Sequence, residues 1–243
     1  PEVYFLSFLI VTVIELTINS HSIASRFSIN CKWTDVVLII KQCSGLSIAI
    51  GLGVLVFNLD RIILPNLMTV EAFGVYAAVV TVGLYFLQIQ YPITKALFPA
   101  LAKKIDINPN ISGEVMWTQV LLLGGLLAPW LIIAGVFTEE ILHFYSIPDA
   151  YINNAGWLFR GILLAVFLNA AYHGIYMRLV VESKDKVVAL INLLGFICAT
   201  LILFELGGQS PFVAGACAWV VVSMVQLLGG LGFYQWAKGY ANK

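Results

Sequence analysis

Charge is scarce in this chain. Thirteen Lys and Arg and thirteen Asp and Glu make up 11% of 243 residues, against roughly 25% in soluble domains. The formal net charge is zero, and no nucleic-acid partner is expected. Histidine occurs three times, at His21, His143 and His173, far apart in the chain. The four cysteines, Cys31, Cys43, Cys198 and Cys217, lack metal-ligand spacing and read as small apolar residues plus one reduced loop thiol. No G-x-S-x-G, H-E-x-x-H or phosphate-cradling glycine loop occurs. No catalytic residue, metal or cofactor is therefore assigned, and the chain is not expected to be an enzyme. It has no signal peptide pattern. It starts at Pro1 within an apolar run and without Met, which points to a piece of a longer protein.

What the chain has in abundance is long apolar runs. Hydrophobic residues make up 60% of it and the mean hydropathy is +0.94. A membrane-spanning helix needs ~20 mostly apolar residues, because in lipid its backbone polar groups must be satisfied internally. Seven stretches meet that length, at 3–20, 36–59, 72–94, 116–137, 157–177, 187–206 and 211–235. The ~10-residue alternation of a membrane β-barrel is absent. The expected class is an all-α integral membrane protein with about seven transmembrane helices.

The loops between these runs are unequal in charge. Arg26, Lys32, Lys41, Lys95, Lys103, Lys104, Arg178, Lys184, Lys186, Lys238 and Lys243 fall on one side. Arg61 and Arg160 fall on the other, with Asp60, Glu71, Glu139, Glu140 and Asp149. Cytoplasmic loops collect Lys and Arg, so the first helix is expected to run inward and the C-terminus to be cytoplasmic. The sequon Asn110-Ile111-Ser112 then faces the cytoplasm and carries no meaning.

Polar residues recur along the apolar runs. A helix turns about 100° per residue, so positions seven apart nearly superpose. Ser44, Gly51 and Asn58 share a face of the second run, and Thr81, Gln88 and Lys95 a face of the third. Gly215 and Gln226 share a face of the seventh, and Asn169 and His173 form an i, i+4 pair on the fifth. Arg160 lies about 180° from Asn169 on that helix, so an unbent helix cannot turn both into one cavity. Two readings stay open: hydrogen-bonding contacts between helices, or the wall of a water-filled, substrate-facing cavity. The candidates for such a wall are Ser44, Asn58, Thr81, Gln88, Arg160, Asn169, His173 and Gln226. Pro92 and Pro129 lie inside spans and are expected to bend them. Asp60 and Arg61, at the outer end of the second run, read either as an interfacial anchor or as a latch at an outer mouth. Arg61 complements the helix dipole there and Asp60 does not. Asp60 is therefore expected to have a cationic or backbone N–H partner in 65–74 or at the start of the third helix.

The stretch GLGVLVFNLDRIILPNLMTVEAFGVYAAVVTVGLYFLQIQYPITKALFPALAKK, residues 51–104, resembles the bacterial polysaccharide flippases (O-antigen type, Wzx-like) of the multidrug, oligosaccharidyl-lipid and polysaccharide exporter superfamily. The resemblance rests on Asp60, Arg61 and Leu64, then Glu71, Gly74 and Tyr76, then Phe98 and Pro99 before a basic loop. It implies two six-helix lobes facing a cleft. Residues 34–243 would form the C-terminal lobe of a MATE-like transporter, and 1–25 the last helix of an N-terminal lobe missing from this chain. The implied activity moves a polyprenyl diphosphate-linked oligosaccharide across the bacterial cytoplasmic (inner) membrane by alternating access, with no cofactor. The implied partners are the lipid bilayer, that lipid-linked saccharide and the missing lobe. A drug or peptidoglycan-precursor exporter of the same superfamily, or a membrane enzyme of envelope glycan assembly, are the alternatives. Intramembrane acids would favour the drug-exporter branch, and Glu15 and Glu205, both near span ends, are the ones that qualify.

Overall fold

The computed structural model describes residues 33–90, 92, 99, 103 and 112–241. The described residues are about 90% helical and contain no strand. They form α1 (Trp33–Val56), α2 (Leu59–Ile63) with a 3-10 turn at Leu64–Asn66, α3 (Val70–Gln88), α4 (Ser112–Val136), α5 (Thr138–Phe144), α6 (Asp149–Val181), α7 (Asp185–Gly207) and α8 (Pro211–Ala241). Packing divides the chain within α1, into Pro1–Ser44 and Gly45–Lys243. In the first unit the described residues are the helical ones from Trp33 onward. Everything below concerns the second.

Four helices, α3, α6, α7 and α8, are each long and apolar enough to cross a membrane. Two bent pairs, α1 with α2 and α4 with α5, raise the number to six if each pair is one span. The expected span at 3–20 lies outside the described residues, as does the 1–25 helix. The expected spans 36–59 and 116–137 are helical as α1 and α4 up to their last residues, where each pair bends. The first turns by 56° near Phe57–Asn58 and the second by 78° near Phe137. Neither break falls at a proline, and Pro129 lies inside α4.

Side chains that compete for backbone carbonyls mark both breaks. Asn58 Nδ2 donates to the Val54 carbonyl at 2.8 Å, and Thr138 Oγ1 donates to the carbonyls of Ala134 and Gly135. Such local bonds give the chain an alternative to continuing the helix. Thr69 then starts α3 as an N-cap, its Oγ1 accepting from the Ala72 N–H at 3.2 Å, with Glu71 in the favourable first turn.

The core lies between α6 and its neighbours. α6 touches α3, α4, α5, α7 and α8, and α8 packs most extensively on α6 and α7. Small residues permit the closest approaches: a Cβ on Gly161 of α6 would stand 2.8 Å from the Ala216 Cβ of α8. The outward surface is apolar as well. Leu121 (72% exposed), Val136 (69%) and Leu228 (66%) point away from the bundle, a surface that fits lipid better than water. The chain is therefore a multi-pass membrane protein. Between Arg160 and Arg178, α6 rises about 27 Å at ~1.5 Å per residue, close to the ~30 Å hydrocarbon core.

Candidate functional site

A cavity of about 500 Å³ opens between α1, α3, α6, α7 and α8. Its wall includes Asn58, Gln88, Asn169, His173 and Gln226, five of the eight residues proposed from sequence spacing. The other three go elsewhere. Ser44 lies in the first unit and is exposed. Thr81 is exposed, and its hydroxyl donates to the Ala77 carbonyl of its own helix at 2.8 Å. Arg160 lines a separate groove of about 380 Å³ between α4 and α6, where its Nε donates to the Gly135 carbonyl at 3.5 Å. Arg160 and Asn169 do lie on different sides of α6, as the 100° rotation requires.

Four buried amides join into one chain of hydrogen bonds across the bundle. Gln90, just past the end of α3, donates through Nε2 to Asn169 Oδ1 at 3.2 Å. Asn169 Nδ2 donates to Gln226 Oε1 at 3.2 Å, and Gln226 Nε2 to Asn192 Oδ1 at 3.1 Å. Asn192 Nδ2 ends the series on the Ala49 carbonyl of α1 at 2.9 Å. The relay links α1, α6, α7 and α8 to the end of α3. Seven-residue spacing misses Gln90 and Asn192, because Gly83 and Leu97 stand seven residues either side of the one and Ala199 seven beyond the other. Their sequence signal was simply an amide inside an apolar run.

Aromatic rings complete the wall. Tyr172, His173 and Tyr176 lie side by side on α6, with ring centroids 6.1 Å (Tyr172–Tyr176) and 5.6 Å (His173–Tyr176) apart. Phe57 and Trp219 pair at 5.3 Å on another part of the lining. No Lys, Arg, Asp or Glu lines the cavity among the described residues. Three polar atoms in its wall have no partner in the protein: Gln90 Oε1, Tyr172 Oη and His173 Nε2.

Below Trp219 sits a second polar cluster centred on Asp60, which is only 3% exposed. Its Oδ2 accepts from Tyr76 Oη at 2.6 Å and from Trp219 Nε1 at 3.0 Å, while Oδ1 accepts from the Arg61 N–H at 2.8 Å. The partners are not the cation or backbone N–H expected in 65–74 or at the start of the third helix: they are the Tyr76 hydroxyl of α3, an indole from α8 and the N–H of the adjacent Arg61. No side-chain ion pair joins Asp60 to Arg61 among the described residues. Gly215 makes the cluster possible, since a Cβ there would overlap the Tyr76 hydroxyl. Asp60 is also an acid buried inside the bundle, which the sequence reading had not counted beside Glu15 and Glu205.

A comparison with protein-family models, curated proteins and solved structures returns no match. The site therefore has to be read from its own chemistry.

Proposed function

We propose that this chain is one lobe of a membrane transporter of the polysaccharide-flippase kind, moving a lipid-linked oligosaccharide from the cytoplasmic to the outer leaflet. The observation that carries the reading is the cavity itself. A cleft of about 500 Å³ opens in a bundle of membrane helices, and its wall sets amides and aromatic rings among Ile50, Val54, Leu84 and Leu87. Amides and aromatic faces are what a sugar needs from a binding surface. Counting α1 with α2 and α4 with α5 as one bent span each gives six crossings among the described residues, the number in one lobe of the resembled family, a MATE-like arrangement in which a second lobe faces this one. In that arrangement the second lobe supplies the cations for the diphosphate, since this cavity presents none. The protein resides in a bacterial cytoplasmic membrane with its C-terminus inside.

The test is genetic and chemical together. Cells lacking the protein should accumulate lipid-linked saccharide facing the cytoplasm and lose surface glycan. The wild-type gene should restore export, and a gene carrying Asn169→Leu with Gln226→Leu should not, at equal membrane level. Normal surface glycan in the deletion strain would overturn the reading.

Asp60 favours a second reading, an ion-coupled drug exporter of the same superfamily, because an acid buried among membrane helices is costly and commonly functional. Three donors already surround that carboxyl, which gives it a structural use and ranks this reading second. Unchanged drug sensitivity in the deletion strain would remove it.

A further inference from the structure

The amide relay has a direction. A backbone carbonyl can only accept hydrogen bonds, so the Ala49 oxygen obliges Asn192 to turn its NH2 toward it. Asn192 then offers its oxygen to Gln226, Gln226 its oxygen to Asn169, and Asn169 its oxygen to Gln90. The orientation of all four amides follows from that one acceptor, without appeal to how each was assigned on its own. The free end of the relay is consequently an acceptor, Gln90 Oε1, buried to 1% exposure and without a partner.

Interhelical contact accounts for the four bonds inside the relay. It does not account for the atoms left over. Buried polar groups in proteins are nearly always paired, yet Gln90 Oε1, Tyr172 Oη and His173 Nε2 stand unpaired in the wall of one cavity. The same wall carries the rings of Tyr172, Tyr176 and Trp219 and no full charge among the described residues. Its volume, about 500 Å³, falls within the ~300–1,000 Å³ of small-molecule sites.

We propose that this cavity binds the uncharged glycosyl part of the cargo, with a sugar hydroxyl donating to Gln90 Oε1 and others meeting Tyr172 and His173. The relay makes the site selective for groups that donate, and the lack of a cation excludes the diphosphate from it. This rests on the flippase reading for the identity of the ligand, but the geometry and its test stand apart from transport.

The full chain in lipid nanodiscs is titrated with three probes: methyl glucoside, its fully O-methylated ether, and glucose 1-phosphate. Ligand-observed NMR reads the binding. The glucoside should bind best, because the ether accepts hydrogen bonds but donates none. Tyr172→Phe should weaken the glucoside about fivefold, the size of one hydrogen bond, while melting at or above the wild-type temperature, since the lost hydroxyl has no partner in the protein. Asn192→Leu removes the anchor and lets the relay reverse, so the glucoside-to-ether preference should shrink about fivefold. Comparing the ratio between variants cancels the larger size of the ether. Tighter binding of the phosphate, or wild-type affinity in Tyr172→Phe, overturns the proposal. An unchanged ratio in a folded Asn192→Leu overturns the directional part, and if that variant does not fold, Tyr172→Phe still decides. Glucoside binding by a protein whose deletion leaves glycan export normal would reject the flippase reading and leave the site intact.

Discussion

Asp60 shows how one side chain can hold three elements. Its carboxyl gathers donors from α2, α3 and α8, and the Tyr76 ring reaches it only because position 215 is glycine. Asn at position 60 can still accept from Tyr76 and Trp219 but turns an NH2 against the Arg61 N–H. Asp60→Asn should therefore cost about 1–3 kcal/mol, the penalty of an unsatisfied buried group. Asp60→Ala should cost more, because it orphans both the phenol and the indole. Thermal unfolding in detergent measures the order, and equal melting of all three proteins would show the cluster to be incidental. Gly215→Ala should behave like Asp60→Ala, since the added methyl displaces the Tyr76 hydroxyl. A Gly215→Ala protein that melts like the wild type would mean that α8 shifts freely at this point.

At the scale of the element, α6 organises both the bilayer crossing and the cavity. Its C-terminus closes with the Lys184 N–H on the Leu179 carbonyl and the Ser183 N–H on the Val180 carbonyl. This leaves Ser183 at φ 56°, a left-handed conformation that favours glycine at such caps. Ser183→Gly should stabilise the protein by about 1 kcal/mol, seen as a raised melting temperature. An unchanged or lowered value would mean that the serine has a compensating contact. In the middle of the same helix, Asn169 bridges Gln90 and Gln226. Asn169→Leu cuts the relay in two and strands an amide donor on one side and an acceptor on the other, so it should cost more than Asn58→Leu. The Asn58 side chain bonds only the Val54 carbonyl of α1 among the described residues and provides the comparison in the same melting assay.

For the whole molecule, the loop charges set which way the bundle is expected to face. A Cys at Lys184 in intact cells should react only with a membrane-permeant thiol reagent, whereas one at Glu139 should react with an impermeant reagent. Reversed labelling would overturn the orientation. Asp60 gives a second test at this scale. With its carboxyl built into a buried cluster, Asp60→Ala should lower the amount of protein in the membrane. Normal protein with lost export would instead point to a latch at the outer mouth.

The all-helical, multi-pass class was legible in the chain because hydrocarbon imposes a length and a composition on each helix regardless of its neighbours; against the seven spans expected, the described residues supply four to six. The opposed placement of Arg160 and Asn169 was legible for a similar reason: the helical rotation is local. The breaks near Phe57–Asn58 and Phe137 were not, since neither falls at a proline and Asn58 and Thr138 act through carbonyls a turn away. Thr81 was assigned to the cavity by periodicity but lies exposed, because seven-residue spacing says which residues share a face and not what that face meets. Gln90 joined to Asn169, Asn192 to Gln226, and Asp60 to Trp219 are pairings between distant segments. Only tertiary packing decides them, because a hydrogen bond forms between atoms about 3 Å apart and the sequence carries no measure of that distance.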